Sequence, residues 1–162
     1  MRLYIPTKSE TEALLASPTT FRGLPVAAEA APPAFLLTKA IAAEDGLWSM
    51  PRLFWDDVSG QIVGSGAFKT APREGRVALG YGVAPAYRGR GHATSGVRLM
   101  IAEAFATGTV DEIRAESACS NGASRRVLEK AGFTHCGTGA DQDGPLDLWS
   151  TRPPQSNLGQ RC

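Results

Sequence analysis

Cysteine is scarce in this chain. The three cysteines, at positions 119, 136 and 162, are odd in number and widely spaced, and no CxxC pair occurs. That suggests neither a disulfide framework nor a cysteine-based zinc site. The two histidines, His92 and His135, do not change this, and no metal is expected. An excess of one charge is also lacking: seventeen Lys and Arg face sixteen Asp and Glu, a net +1. A dedicated nucleic-acid binder would show a stronger basic excess, so no nucleic-acid partner is expected. Long apolar runs are missing, and the opening MRLYIPTKSE has no apolar signal core. No membrane partner is therefore expected, and a reduced, cytoplasmic setting is the default. Aromatics amount to only 7%.

What is present fits an ordinary folded domain. Hydrophobic residues make up 43% and charged residues 20% of 162 positions, enough for a sizeable core without disulfides or metals. Residues 1–152 are expected to form one domain. The Pro-rich, polar tail 153–162 is expected to be disordered.

Local patterns give the elements. Residues 2–5 (RLYI) predict a short strand ended by Pro6. Thr7 followed by Glu10 predicts a capping box opening a short helix. Residues 17–33 hold four prolines and predict a loop, with Pro32 or Pro33 opening a second helix. Strands are predicted at 52–55, 61–69 and 76–83, separated by turn chemistry at 57–60 and 72–75, which is an antiparallel meander. Gly64 and Gly66 within the second of these strands suggest twist or close approach by another element. The period then changes. Ala93, Val97, Met100, Ile101, Ala104 and Phe105 recur at helical spacing. A strand at 111–118, a helix at 121–131 closed by Gly132, and a strand pair at 133–139 and 145–151 complete the pattern. The switch from meander to strand–helix–strand predicts an α/β (α+β) domain with a mixed, mainly antiparallel sheet of six or seven strands flanked by helices.

One segment carries chemistry. YGVAPAYRGRGHAT (81–94) joins a strand to the long helix. A helix start leaves about four backbone N–H groups unpaired and carries roughly half a positive charge. Gly89 and Gly91 keep side chains away, and Arg88 and Arg90 add charge, which together make a diphosphate cradle. The segment is neither a P-loop, since GxxxxGK[ST] is absent, nor a dinucleotide fingerprint, since the third glycine of GxGxxG is Pro85. Taken alone, a plain structural turn explains a Gly-Arg-rich segment equally well.

The run RGRGHA (88–93) resembles the R/Q-x-x-G-x-G/A motif of the GNAT N-acetyltransferase superfamily, and LGYGVAP (79–85) resembles the strand leading into it. NGASRRVLEKAGF (121–133) is similar to a block found in the RimJ/RimL-like branch. The resemblance spans roughly residues 50–150. It implies an enzyme that transfers an acetyl group from acetyl-coenzyme A to an amine, by direct attack in a ternary complex. The amine would be a protein N-terminus or a small molecule. The backbone N–H groups of Gly89, Arg90, Gly91, His92, Ala93 and Thr94, with Arg88, would hold the coenzyme diphosphate. Val83 would pair with the pantetheine arm between splayed strands 76–83 and 111–118. Asn121 would lie beside that arm or fix the loop entering the next helix. Ser124 would donate to the leaving thiolate, or act only as a first-turn residue bonding backbone. Relatives often form homodimers.

The chain departs from the family pattern at the proton-transfer positions. Ala78 and Ser95 stand where relatives often carry Glu, and 133–151 contains no Tyr. Ser124 and Glu116 are the catalytic candidates, with Glu74 and His135 as further titratable groups nearby in sequence. Tyr81 and Tyr87 read as packing residues, Glu129 and Lys130 as a solvated face, Cys119 as a buried, inert thiol, and the three tryptophans as core. The departures leave two alternatives: a non-catalytic acetyl-coenzyme A sensor, and a transferase of a longer acyl group.

Overall fold

The computed structural model describes residues 1–44 and 46–154. Of the tail expected to be disordered, 155–162 lie outside the described residues, as does Cys162. The first helix, α1 (Lys8–Ala16), is opened by the expected capping box. The Glu10 N–H donates to Thr7 Oγ1 at 3.2 Å, and the Thr7 N–H donates to Glu10 Oε2 at 2.8 Å. Pro33 caps α2 (Ala34–Ala42). Between them the chain forms more than a loop. Strands β2 (Thr20–Phe21) and β3 (Leu24–Pro25) pair around Arg22 and Gly23, both at positive φ. Such a two-residue turn matches the twist of a hairpin, and burial of Phe21 anchors it.

Seven strands form the main sheet, in the order β1-β4-β5-β6-β7-β9-β8. They are β1 (Arg2–Tyr4), β4 (Arg52–Asp56), β5 (Gln61–Phe68), β6 (Arg76–Val83), β7 (Glu112–Ala118), β8 (Thr134–Asp141) and β9 (Gly144–Thr151). All neighbours are antiparallel except β6 and β7. A parallel pair needs a long crossover, here supplied by α3 (His92–Ala106). Helix α4 (Gly122–Lys130) follows β7.

The helices lie on both faces of the sheet. On one, α3 buries Val97, Met100 and Ala104 against Phe54, Val63 and Leu79. Gly96 lets α3 approach closely, since a Cβ there would overlap the Phe54 ring. On the other face, Leu14 of α1 and Leu37 of α2 pack with Leu53 and Ile62. Gly64 and Gly66 are the sites of close approach that their sequence position suggested: a Cβ would meet the Gly82 carbonyl at the first and the Met100 sulfur at the second. A bulge between Phe54 and Trp55 shifts the register of β4 against β5 and adds local twist. Trp149 is fully buried, its indole N–H donating to Ser117 Oγ at 2.9 Å. Trp48 and Trp55 are half-buried on the core. No helix among the described residues is long and apolar enough to cross a membrane.

Candidate active site

The central feature is a fork between β6 and β7. Register is kept only at Arg76↔Glu112, Val77↔Ile113 and Ala78↔Arg114. Beyond Ala78 the strands part, while β6 stays paired to β5 as far as Val83 and β7 stays paired to β9 as far as Ala118. The β6 edge from Leu79 to Val83 is therefore open to another extended chain, as in strand addition.

A buried carboxylate pins the closed end of the fork. Glu112, 7% exposed, accepts from Arg114 Nε at 2.6 Å and Arg152 Nη2 at 2.9 Å, with Arg76 Nε 3.7 Å away. The Arg114 hydrogen bond is the main cause holding its carboxyl below the ordinary glutamate range, against the opposing effect of burial. These arginines join β6, β7 and the chain after β9 through one acid.

At the open end, β6 runs into a short 3-10 turn (Pro85–Tyr87) and then α3. Gly89 and Gly91 adopt φ of 72° and 80°. Left-handed backbone at these two points turns successive N–H groups the same way, a conformation that favours glycine. No side chain among the described residues caps α3, and the first helical bond is Ser95 N–H to the Gly91 carbonyl. The N–H groups from Gly89 to Thr94 thus have no backbone acceptor among the described residues. A Cβ on Gly89 or Gly91 would meet nothing within 4 Å, so open space lies in front of them.

The fork and this loop border one cavity of about 830 Å³. Its lining includes Val83, Arg88, Gly89, Gly91, His92, Ala93, Thr94, Asn121 and Ser124, nearly all of the residues singled out from sequence. Arg88 is held by its Nε donating to the Val83 carbonyl at 3.3 Å. Asn121 caps α4, its Oδ1 accepting from the Ser124 N–H at 3.0 Å.

Two candidates are not brought to the cavity wall. The Arg90 guanidinium stacks on Tyr87, 5.5 Å from the ring centroid, so only its backbone belongs to the N–H run. Glu116 pairs with Lys69 Nζ at 3.0 Å, half-exposed and outside the lining. It points to the open sheet face because alternation along β7 puts Ala115 and Ser117 inward and Glu116 outward. Glu74 sits exposed in a turn with φ of 50°. His135 bonds Asp147 at 2.9 Å against the Trp149 ring. Cys119 is exposed rather than buried, and its thiol is pushed up by lost hydration and then by the Asp147 carboxylate, which keeps it protonated.

Sequence reasoning missed the neighbour that matters most to Ser124. The Tyr81 hydroxyl lies 2.8 Å from Ser124 Oγ and 3.3 Å from the Ser124 carbonyl, on the cavity wall. Burial pushes the phenol up, only partly offset by the Ser124 bond, so it stays a neutral donor near pH 7. The alternation Val77, Leu79, Tyr81 along β6 marks Tyr81 as inward, but the fork that exposes its hydroxyl is a tertiary feature. Arg126 and Lys130, one turn apart on α4, also line the cavity, as do Pro32, Pro33 and Leu36 near the start of α2. Lys130 is therefore not simply part of a solvated face. Among the described residues Glu29 is the one carboxylate in the lining.

The comparisons agree with this architecture. No curated protein matches the sequence. Solved structures share the fold at low identity. The aminoglycoside acetyltransferase AAC(6')-Ib, in complex with paromomycin and acetyl-coenzyme A, is 19% identical with a TM-score of 0.65, over 94% of this chain and 93% of that one. A ribosomal-protein-S5-alanine acetyltransferase from Vibrio fischeri is 15% identical with a TM-score of 0.68, over 93% and 91%. A variant of spermidine N-acetyltransferase SpeG from Vibrio cholerae is 14% identical with a TM-score of 0.67, over 94% and 95%. The family model described as "Acetyltransferase (GNAT) domain" matches residues 8–134. Matched across most of its length, the chain belongs to the GNAT family of acetyltransferases.

Proposed function

We propose that this enzyme transfers an acetyl group from acetyl-coenzyme A to an amine, by direct attack in a ternary complex. The observation that carries the reading is the opening of the β6–β7 fork onto an uncapped N–H run, with the Tyr81–Ser124 hydroxyl pair inside the same cavity. The residues fit the coenzyme. Six unpaired N–H groups at a helix start suit a diphosphate, and an unpaired strand edge suits the amide-bearing pantetheine arm.

When bound, acetyl-coenzyme A supplies an activated thioester whose C–S bond breaks as the amine forms its C–N bond. The chain's own residues orient and protonate. Gly89–Thr94 and Arg88 fix the anionic end, and the Leu79–Val83 edge aligns the arm. Holding both reactants in attack geometry removes much of the entropic barrier. The Tyr81 hydroxyl, relayed by Ser124 Oγ, donates a proton to the sulfur that leaves with the electron pair. The amine sheds its proton to water.

The 121–133 block supports a place near the RimJ/RimL-like branch, and structural neighbours named for aminoglycoside, spermidine and ribosomal-protein acetylation support an amine acceptor. Thiol release from acetyl-coenzyme A, measured with a panel of amines, tests the reading. Release that depends on the amine is expected. A chain that binds the coenzyme and releases no thiol with any amine would instead be a sensor.

A further inference from the structure

A second cavity, about 280 Å³, lies beyond the first. The two share Leu36 and Ala67, so they form neighbouring compartments on the α2 side of β5. The second is bounded by α2, by the end of β5, and by the turn that leads to β6. Three of its lining residues are basic, Lys39, Lys69 and Arg73, and none of the described lining residues is acidic. Lys69 is already neutralised by Glu116 at 3.0 Å. Lys39 Nζ donates to the Lys69 carbonyl at 2.7 Å, a contact that places its charge without cancelling it. Among the described residues neither Lys39 nor Arg73 has a carboxylate partner. Two cations without a carboxylate partner among the described residues therefore border this compartment.

We propose that the second cavity binds an anionic substituent of the acceptor, so that the substrate is an amine that also carries a carboxylate. This rests on the acetyl-transfer reading above. The strand fixes the spacing. Ala67 borders both cavities, and Lys69, just past the end of β5, lies two residues further, roughly 7 Å at about 3.3 Å per residue. A nitrogen in the first cavity and a carboxylate in the second are thus separated by a short aliphatic chain or one amino-acid side chain. A polycation would meet like charge there, which disfavours it. A carboxylate receives charge-assisted bonds from Lys39 and Arg73, with a preference of about tenfold or more over a neutral group of the same shape.

The test uses acceptors matched in size and differing only in charge. One pair is 4-aminobutyrate against 4-aminobutyramide. A second pair is a tripeptide amide opening on glutamate against one opening on glutamine. The pairs distinguish a free amino acid from a protein N-terminus as the source of the carboxylate. With wild-type enzyme, kcat/KM should favour the carboxylate at least tenfold in one pair. Lys39→Met and Arg73→Met should each shrink that ratio to within about threefold, mostly through KM, while coenzyme A titrates with wild-type affinity as the folding control. Turnover with ratios near one in both pairs, or a preference that survives both variants, overturns the inference and leaves acetyl transfer standing. If no amine releases thiol, acetyl transfer itself fails. Calorimetric titration of 4-aminobutyrate against its amide into coenzyme-loaded protein then decides the cavity: carboxylate-selective heat lost in Arg73→Met supports it, and equal heats refute it.

Discussion

Glycine in a strand interior costs roughly 0.5–1 kcal/mol relative to alanine, so the four glycines of β5 and β6 need a reason. Gly64 and Gly66 have one inside the protein, where a Cβ would overlap the Gly82 carbonyl or the Met100 sulfur. Gly80 and Gly82 have none: a Cβ there meets nothing within 4 Å, neither has positive φ, and both line the large cavity. Their room opens onto the cavity rather than onto packed protein. Gly82→Val should fold well, and β-branched propensity with the lost entropy penalty should stabilise it by up to about 1 kcal/mol. For a chain of this size that is roughly 2–4 °C in Tm. The same valine places two methyl groups in the cavity, and thiol release should fall at least about tenfold. Gly64→Val is the contrast. Its Cβ meets a backbone carbonyl that cannot move aside, so overpacking should cost about 1–3 kcal/mol or more. Thermal unfolding by circular dichroism, with thiol release on the same preparations, checks the pair. If Gly82→Val melts as early as Gly64→Val, the cavity-facing glycine is structural. If it stays stable and fully active, the cavity is not where substrates lie.

Tyr81→Phe should lower kcat by about 10²-fold or more with little change in coenzyme A affinity, and Ser124→Ala should follow in the same direction; steady-state kinetics beside calorimetry separates the two effects. In the loop, Gly91→Val should lose most coenzyme A affinity, because a side chain at φ of 80° both strains the backbone and stands before the N–H run. Arg88→Ala should cost about 1.5–3 kcal/mol and His92→Ala little, since its N–H remains, and titration of the three folded variants checks the order. The Glu112 carboxyl is depressed in the folded state by Arg114, so its stabilisation is full above the ordinary glutamate range and is lost as pH falls through the folded value. Wild-type Tm should therefore drop more than that of Glu112→Gln as pH is lowered from 7 to about 3, below the ordinary glutamate range, as scanning calorimetry would show.

Period and punctuation made most of the fold readable. The Thr7–Glu10 box, the turns at 57–60 and 72–75, and the helical repeat from Ala93 are local signals, and the elements they mark lie where expected. The β2–β3 ribbon was not legible, since two-residue strands have no period and their turn uses Arg22 rather than a paired Asn-Gly. The glycine-rich loop before α3 was readable because its features are carried by backbone: glycines that permit positive φ and a helix start with no side-chain cap among the described residues are both written in sequence. Glu116 shows the opposite case. Being on the right strand was not enough, because alternation sends its carboxylate to the outer face and to Lys69. Tyr81 and Ser124 meet only because β6 and β7 separate after Ala78 and α4 returns beside the gap. Neither strand carries a local signal of that parting. Its visible determinant is Glu112, which ties Arg76, Arg114 and Arg152 at the closed end and so confines the loss of pairing to the other. The Tyr81–Ser124 pair depends on a fork whose closed end is held by Arg76 and Glu112, remote from it along the strands, which is why the residue type alone could not reveal it.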